Sequence, residues 1–186
     1  MLRRQTTRSL GMEAARRNDE ALPDAALAAF VDDHYERLLG LARLVCRDTT
    51  EAADAVQAGL EQAWRHRSTL RDDSRLRPWL DRIVVREALR ARRARGRWLL
   101  RFPTHEPSVA WIEPIDRVGD DLPAWLSFRA AFERLSPEQR AVVALHLHRG
   151  YTVAETAEIL GAPIETVRSR LRLARQRLRR ELEEAD

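Results

Sequence analysis

Apolar residues recur at three- and four-residue intervals along almost the whole chain, and no segment alternates apolar and polar positions as a half-buried strand does. That periodicity confines the chain to an all-α fold. It predicts helices at roughly 24–47, 50–67, 75–97, 125–134, 137–149, 152–160 and 164–183. The pattern fails between about 98 and 124, where Pro103, Pro107, Pro114 and Gly119 interrupt a run with scattered aromatics. This stretch reads as a linker, 98–124, between two small helical domains, 23–97 and 125–186. Residues 1–22 read as a mobile tail with arginines and no apolar core, unlike a secretory signal.

Charge divides the chain in a second way. All 33 basic residues are arginine, and the net charge is +4. Residues 18–64 hold ten acids against three arginines, whereas 86–101 hold seven arginines against Glu87. A bipolar chain suggests two partners, one basic and one anionic, or mutual attraction between its halves. The single cysteine, Cys46, cannot form an internal disulfide and has no ligand set around it for zinc. No metal or cofactor is expected, and the reducing cytoplasm fits. No apolar run approaches the ~20 residues of a membrane span.

The C-terminal segment follows helix-turn-helix spacing. Ser136 is placed to cap a helix, Pro137 suits the first helical position, and Gly150 ends it. Thr152 and Glu155 form a capping box for the next helix, Ala157 leaves room for a close crossing, and Gly161 suits a left-handed turn. In the last helix Ile164, Val167, Leu171, Ala174, Leu178 and Leu182 make an apolar stripe. Glu165, Thr166, Arg168, Ser169, Arg170 and Arg172 lie over the remaining surface of its first turns. Such a helix can enter a major groove, where arginine pairs bidentately with guanine. Glu155 and Glu158, on the supporting helix, are expected to lie away from that groove.

In the N-terminal half, Ala53, Val56, Leu60 and Trp64 are expected to form a buried stripe, with Asp54, Gln57 and Glu61 on a neighbouring face. The helix at 75–97 places Arg82, Arg86, Arg90, Arg93 and Arg97 on one side at spacings of three and four. Like charges so arranged destabilise a helix, and a phosphate backbone would offset them. The polar loop before that helix could hold unpaired bases, with Trp79 assigned to the core.

Together these segments resemble the extracytoplasmic-function (group 4, sigma-70 family) sigma factors of bacterial RNA polymerase. "ADAVQAGLEQAW" is similar to region 2.2, "RPWLDRIVVREALRARRAR" to regions 2.3–2.4, and "LSPEQRAVVALHLHRGYTVAETAEILGAPIETVRSRLRLAR" to region 4. The resemblance implies a non-enzymatic factor that binds core RNA polymerase and directs promoter recognition. Asp54, Gln57 and Glu61 would dock on the clamp of the largest subunit. The five arginines from Arg82 to Arg97 would hold the −10 element, and Glu165 to Arg172 would read the −35 element. The polymerase flap and an anti-sigma factor are further partners the resemblance suggests. Five positions depart from the family pattern. Arg86 and Arg90 stand where Asn and Asp are common, Leu60 replaces Phe, and Leu173 replaces Arg. The usual Ile-Ala pair is Thr156-Ala157.

The alternative is a helix-turn-helix regulator that binds an operator as a dimer, without polymerase. It would need neither the acidic face nor the arginine helix. Enzyme chemistry has no motif: His146 and His148 point apart on a helix, and there is no nucleophile grouping or phosphate-cradling glycine loop.

Overall fold

A computed structural model describes residues 23–70, 72–101 and 122–183. The tail at 1–22 and residues 102–121 of the expected linker lie outside the described residues. Seven helices carry the described fold: α1 (Asp24–Cys46), α2 (Thr49–His66), α3 (Leu76–Arg101), α4 (Leu122–Glu133), α5 (Pro137–Val143, continuing as a π-helical turn Ala144–His148), α6 (Val153–Leu160) and α7 (Ile164–Glu183). Short 3₁₀ turns, Arg67–Thr69 and Asp73–Arg75, join α2 to α3. α3 runs four residues into the stretch expected as linker, through Trp98–Arg101, and α4 starts before the expected 125.

The local signals explain where the helices begin and end. Asp48 caps α2, its Oδ1 accepting the Glu51 amide at 2.8 Å. Ser136 and Gln139 form a reciprocal capping box on α5, with Pro137 in the first turn. Thr152 and Glu155 form the same device on α6. Gly161 closes α6 at φ +61°, and its amide and that of Ala162 bond back to Glu158 and Ala157 carbonyls. Arg47, at φ +68°, ends α1 in the same left-handed way without being glycine.

Helices α1, α2 and α3 pack around Leu38, Leu41, Val45, Val56, Leu80 and Val84. Gly59 lets α2 and α3 approach closely: a Cβ there would lie 3.1 Å from the Val84 side chain. The expected α2 stripe needs rotating. Ala52, Ala55, Val56, Gly59 and Ala63 are the buried positions, Ala53 and Leu60 are partly buried, and Trp64 is 43% exposed. An i, i+3, i+4 series selects a face only to within about one residue, and the small residues beside it proved to be the inner ones. Trp79 packs partly buried against the core, as expected.

In the C-terminal half, Val142, Ala157, Val167 and Leu171 form the helix-turn-helix core. A second cluster joins Ala131, Phe132 and Leu135 to Val143, Ala174 and Leu178. Ile164, assigned to the apolar stripe, is 43% exposed, because the helix has only just begun there. Ala141, Ala144, Leu145 and Ile159 belong to neither cluster. They complete the α1–α3 core, so the two halves share one apolar interior.

Candidate nucleic-acid interface

The two arginine-bearing helices sit in different surroundings. On α7, Glu165, Arg168 and Arg172 are exposed, and Thr166, Ser169 and Arg170 are partly exposed. Arg168 is ion-paired with Glu165, one turn away. Val167, Leu171, Ala174 and Leu178 anchor the opposite side of the helix. Among the described residues Arg172 has neither a hydrogen bond nor a carboxylate partner. Leu173, where an arginine was expected, is 44% exposed and lies in a shallow groove with Gln139, Gln176 and Arg177.

On α3 the five arginines are not simply displayed to solvent. Arg82 Nη2 donates to the Glu158 carbonyl at 2.5 Å and Arg86 Nε to the Ile159 carbonyl at 3.2 Å, both at the C-terminal end of α6. Burial first, and then the Arg82 charge, lower the Arg86 pKa from its ordinary value. Arg90 lies 3.6 Å from Glu87, and Arg93 pairs with Glu138 of α5 at 3.2 Å. Arg97 remains exposed. Beyond Glu87 within the helix, the C-terminal half supplies this row with a carboxylate and two backbone carbonyls. Glu155 is held by its capping box, and the Glu158 side chain is exposed.

The candidate partner face on α2 is open. Asp54, Gln57 and Glu61 are all exposed, and Glu61 pairs with Arg65 at 3.2 Å. Trp64 extends the same face one turn further, with the Arg67 guanidinium 5.2 Å from its ring centre. The spacing of three from Glu61 was the available signal for Trp64, and the assumption that a tryptophan belongs in the core hid it.

Sequence reasoning also missed the buried polar residues joining the halves. Asp81 is fully buried. It pairs with Arg37 of α1 at 2.8 Å and accepts the Tyr151 hydroxyl at 2.8 Å. Arg140 of α5, 1% exposed, donates to the Val45 carbonyl through Nη2 at 2.6 Å and to Leu135 through Nη1 at 2.8 Å. Burial pulls its pKa down to about 10. Arg149 donates to the Arg37 carbonyl. Cys46 is buried beside Ala88, and burial pushes its thiol up to about 12, which keeps it protonated. His146 bonds the Tyr151 carbonyl. Among the described residues no group of three or more His, Cys, Asp or Glu could hold a metal ion, and no helix is long and apolar enough to cross a membrane.

Comparison with known proteins matches residues 30–97 to "Sigma-70 region 2" and residues 125–178 to "Sigma-70, region 4". The ECF RNA polymerase sigma factor SigL of Mycobacterium tuberculosis is 34% identical over 173 residues, covering 91% of this chain and 97% of that protein. This chain belongs to the extracytoplasmic-function sigma factors. As a sigma factor it directs promoter recognition and is not an enzyme. SigM of the same organism is 37% identical over 151 residues, covering 79% of this chain and 72% of SigM. Among solved structures, the sigma factor RpoE of Bartonella quintana, in complex with the anti-sigma factor NepR, matches with a TM-score of 0.69 at 28% identity. That match covers 83% of this chain and 97% of RpoE. Matches to both sigma regions, in order, disfavour the simple operator-binding regulator.

Proposed function

We propose that this sigma factor divides its contacts among three faces. Asp54, Gln57, Glu61 and Trp64 on α2 dock on the clamp of the polymerase largest subunit. The α3 arginines Arg82, Arg86, Arg90, Arg93 and Arg97 hold the −10 element. Glu165, Thr166, Arg168, Ser169, Arg170 and Arg172 on α7 read the −35 element. The observation that best supports this reading is the α2 face: three polar residues and a tryptophan stay exposed on one side while the opposite side is buried. An exposed aromatic among charges is the usual composition of a protein-binding anchor.

The α3 row favours backbone contact over base readout. Arg86 and Arg90 supply charge where family members carry Asn and Asp, so their contribution should be salt-dependent and tolerant of sequence. On α7, arginine can pair with guanine, while Leu173 can contact a thymine methyl. The region between the two halves would run along the polymerase channels, and the flap would contact the C-terminal half. The protein would act in the cytoplasm. By likeness to RpoE, whose solved structure is a complex with NepR, an anti-sigma factor is a candidate partner.

A pull-down of core polymerase in the absence of DNA tests the reading. Retention of core by the full chain, and promoter-specific initiation by the mixture, are expected. Operator binding by the chain alone, with no affinity for core, would overturn it.

A further inference from the structure

The arginines of α7 do not stop at the residues assigned to the −35 element. Arg175, Arg177, Arg179 and Arg180 follow Arg172 along the helix, and none of them has a role in base readout. Two of them continue a row. At about 100° per residue, Arg168, Arg172, Arg175 and Arg179 fall within about 60° of one another, whereas Arg177 lies on the opposite side of the helix. The row runs about 16 Å along the axis at about 1.5 Å per residue. All four side chains are exposed, and together they line one open groove. His146 of the π-helical turn and Val153 at the start of α6 complete its wall.

The chain itself neutralises only the head of this row. Arg168 pairs with Glu165, but among the described residues Arg172, Arg175 and Arg179 have neither a hydrogen bond nor a carboxylate partner. Like charges at spacings of three and four destabilise a helix. The helix dipole favours cations only in the last turn, which holds Arg180 and none of the row. Among the described residues no Asp or Glu lines the groove. Glu155, near its α6 wall, is turned onto its own cap, accepting the Thr152 amide at 2.8 Å and the Thr152 hydroxyl at 2.7 Å. Nor does the groove suit a small apolar ligand, since Val153 and buried Leu171 are the hydrocarbon side chains it offers. Its chemistry calls for an extended polyanion.

We infer that this groove is a track for the sugar–phosphate backbone of duplex DNA beside the −35 element, with Arg175 and Arg179 as phosphate contacts. The inference rests on the −35 role proposed for the first turns of α7. The row begins at Arg168 and Arg172, within that reading surface, so the track is continuous with it. A helix whose first turns lie in a major groove about 12 Å wide must pass a strand as it leaves, and the second half of the row meets that strand. Guanidinium groups pair bidentately with phosphate oxygens. Such contacts fix orientation and add affinity without reading sequence. They also offset a loss. Leu173 is uncharged where family members carry Arg, and Arg175 restores a cation two positions on.

The test uses the full-length protein and two fluorescein-labelled duplexes of unrelated sequence, titrated by anisotropy from about 50 to about 200 mM salt. Arg175→Gln/Arg179→Gln removes two cations from the track and no proposed base contact. Arg65→Gln/Arg177→Gln makes the same charge change at exposed sites outside it. The track variant should bind both duplexes more weakly by the same factor. Its slope of log affinity against log salt should be shallower by about 1.8, at about 0.9 per lost phosphate contact. The control should keep the wild-type slope. Arg175→Lys/Arg179→Lys, which preserves the charges, should restore most of it, and unchanged circular dichroism separates a lost contact from a lost helix. A track variant with the wild-type slope would overturn the inference, and if it also failed to retain core polymerase the row would belong to a protein interface. Weakening confined to one duplex would overturn it too, by placing Arg175 and Arg179 in base readout. Failure of the sigma-factor reading is separable: it would appear as absent initiation with core polymerase, whatever the salt slopes.

Discussion

Helices α3 and α7 both carry rows of arginine at helical spacing, yet the fold treats them differently. On α7 the first-turn row faces solvent, and Arg168 pairs with Glu165 of the same helix. On α3 three of five arginines are bound by the other half of the same chain, two of them through backbone carbonyls. A helix anchored by one apolar stripe against its own small domain leaves its arginines available. A helix that also forms the seam between two domains has them partly committed. One arginine surface is therefore open to solvent, and the other is partly occupied by carbonyls and a carboxylate of the same chain.

The largest expected effect tests the seam. Asp81→Ala leaves Arg37 without its carboxylate and Tyr151 without its acceptor, and should destabilise the protein by about 3–5 kcal/mol, the usual cost of breaking a buried pair. Urea denaturation measures this, and a loss under about 1 kcal/mol would mean that the pair contributes little to the seam. On the exposed helix, Arg168→Ala or Arg170→Ala should cost about 1–3 kcal/mol of −35 discrimination with folding unchanged. Unaltered promoter selectivity in transcription assays would remove those residues from base readout. Asp54→Arg with Glu61→Arg should weaken core binding about tenfold without changing thermal stability; normal core affinity would place the polymerase contact elsewhere. The smallest effect concerns Thr156, fully buried with a hydroxyl that has no hydrogen-bond partner among the described residues. Thr156→Val should raise stability by about 1 kcal/mol in the same urea experiment, since an unsatisfied buried hydroxyl is removed at constant shape.

Much of the fold was legible because its signals are local. Ser136, Thr152 and Gly161 specify helix ends through bonds within a few residues, and the structure forms each of them. The helix-turn-helix offsets of Ala157 and Val167 likewise meet in one cluster. The exposed arginines of α7 and the polar face of α2 followed from periodicity alone. Trp64 did not, because a helical wheel cannot say which of two adjacent faces a neighbour covers when alanine and glycine line one of them. The docking of the halves was less accessible still. Arg82 and Arg86 bond to main-chain carbonyls, which every residue has, so no side-chain type marks the partner. Asp81 was one carboxylate in a basic helix, and its burial depends on Arg37 and Tyr151, 44 and 70 residues away in sequence.

The most direct measurement of the central claim is the distance between the two halves before and after promoter engagement. Arg65→Cys and Arg177→Cys, both exposed sites, accept donor and acceptor dyes, while the native Cys46 is buried and protonated. Energy transfer should be high in the free protein and fall sharply once core polymerase and promoter DNA are added. Transfer that is equally low in the free protein, or equally high in the promoter complex, would contradict a sigma factor whose halves share one core when free and separate at the promoter.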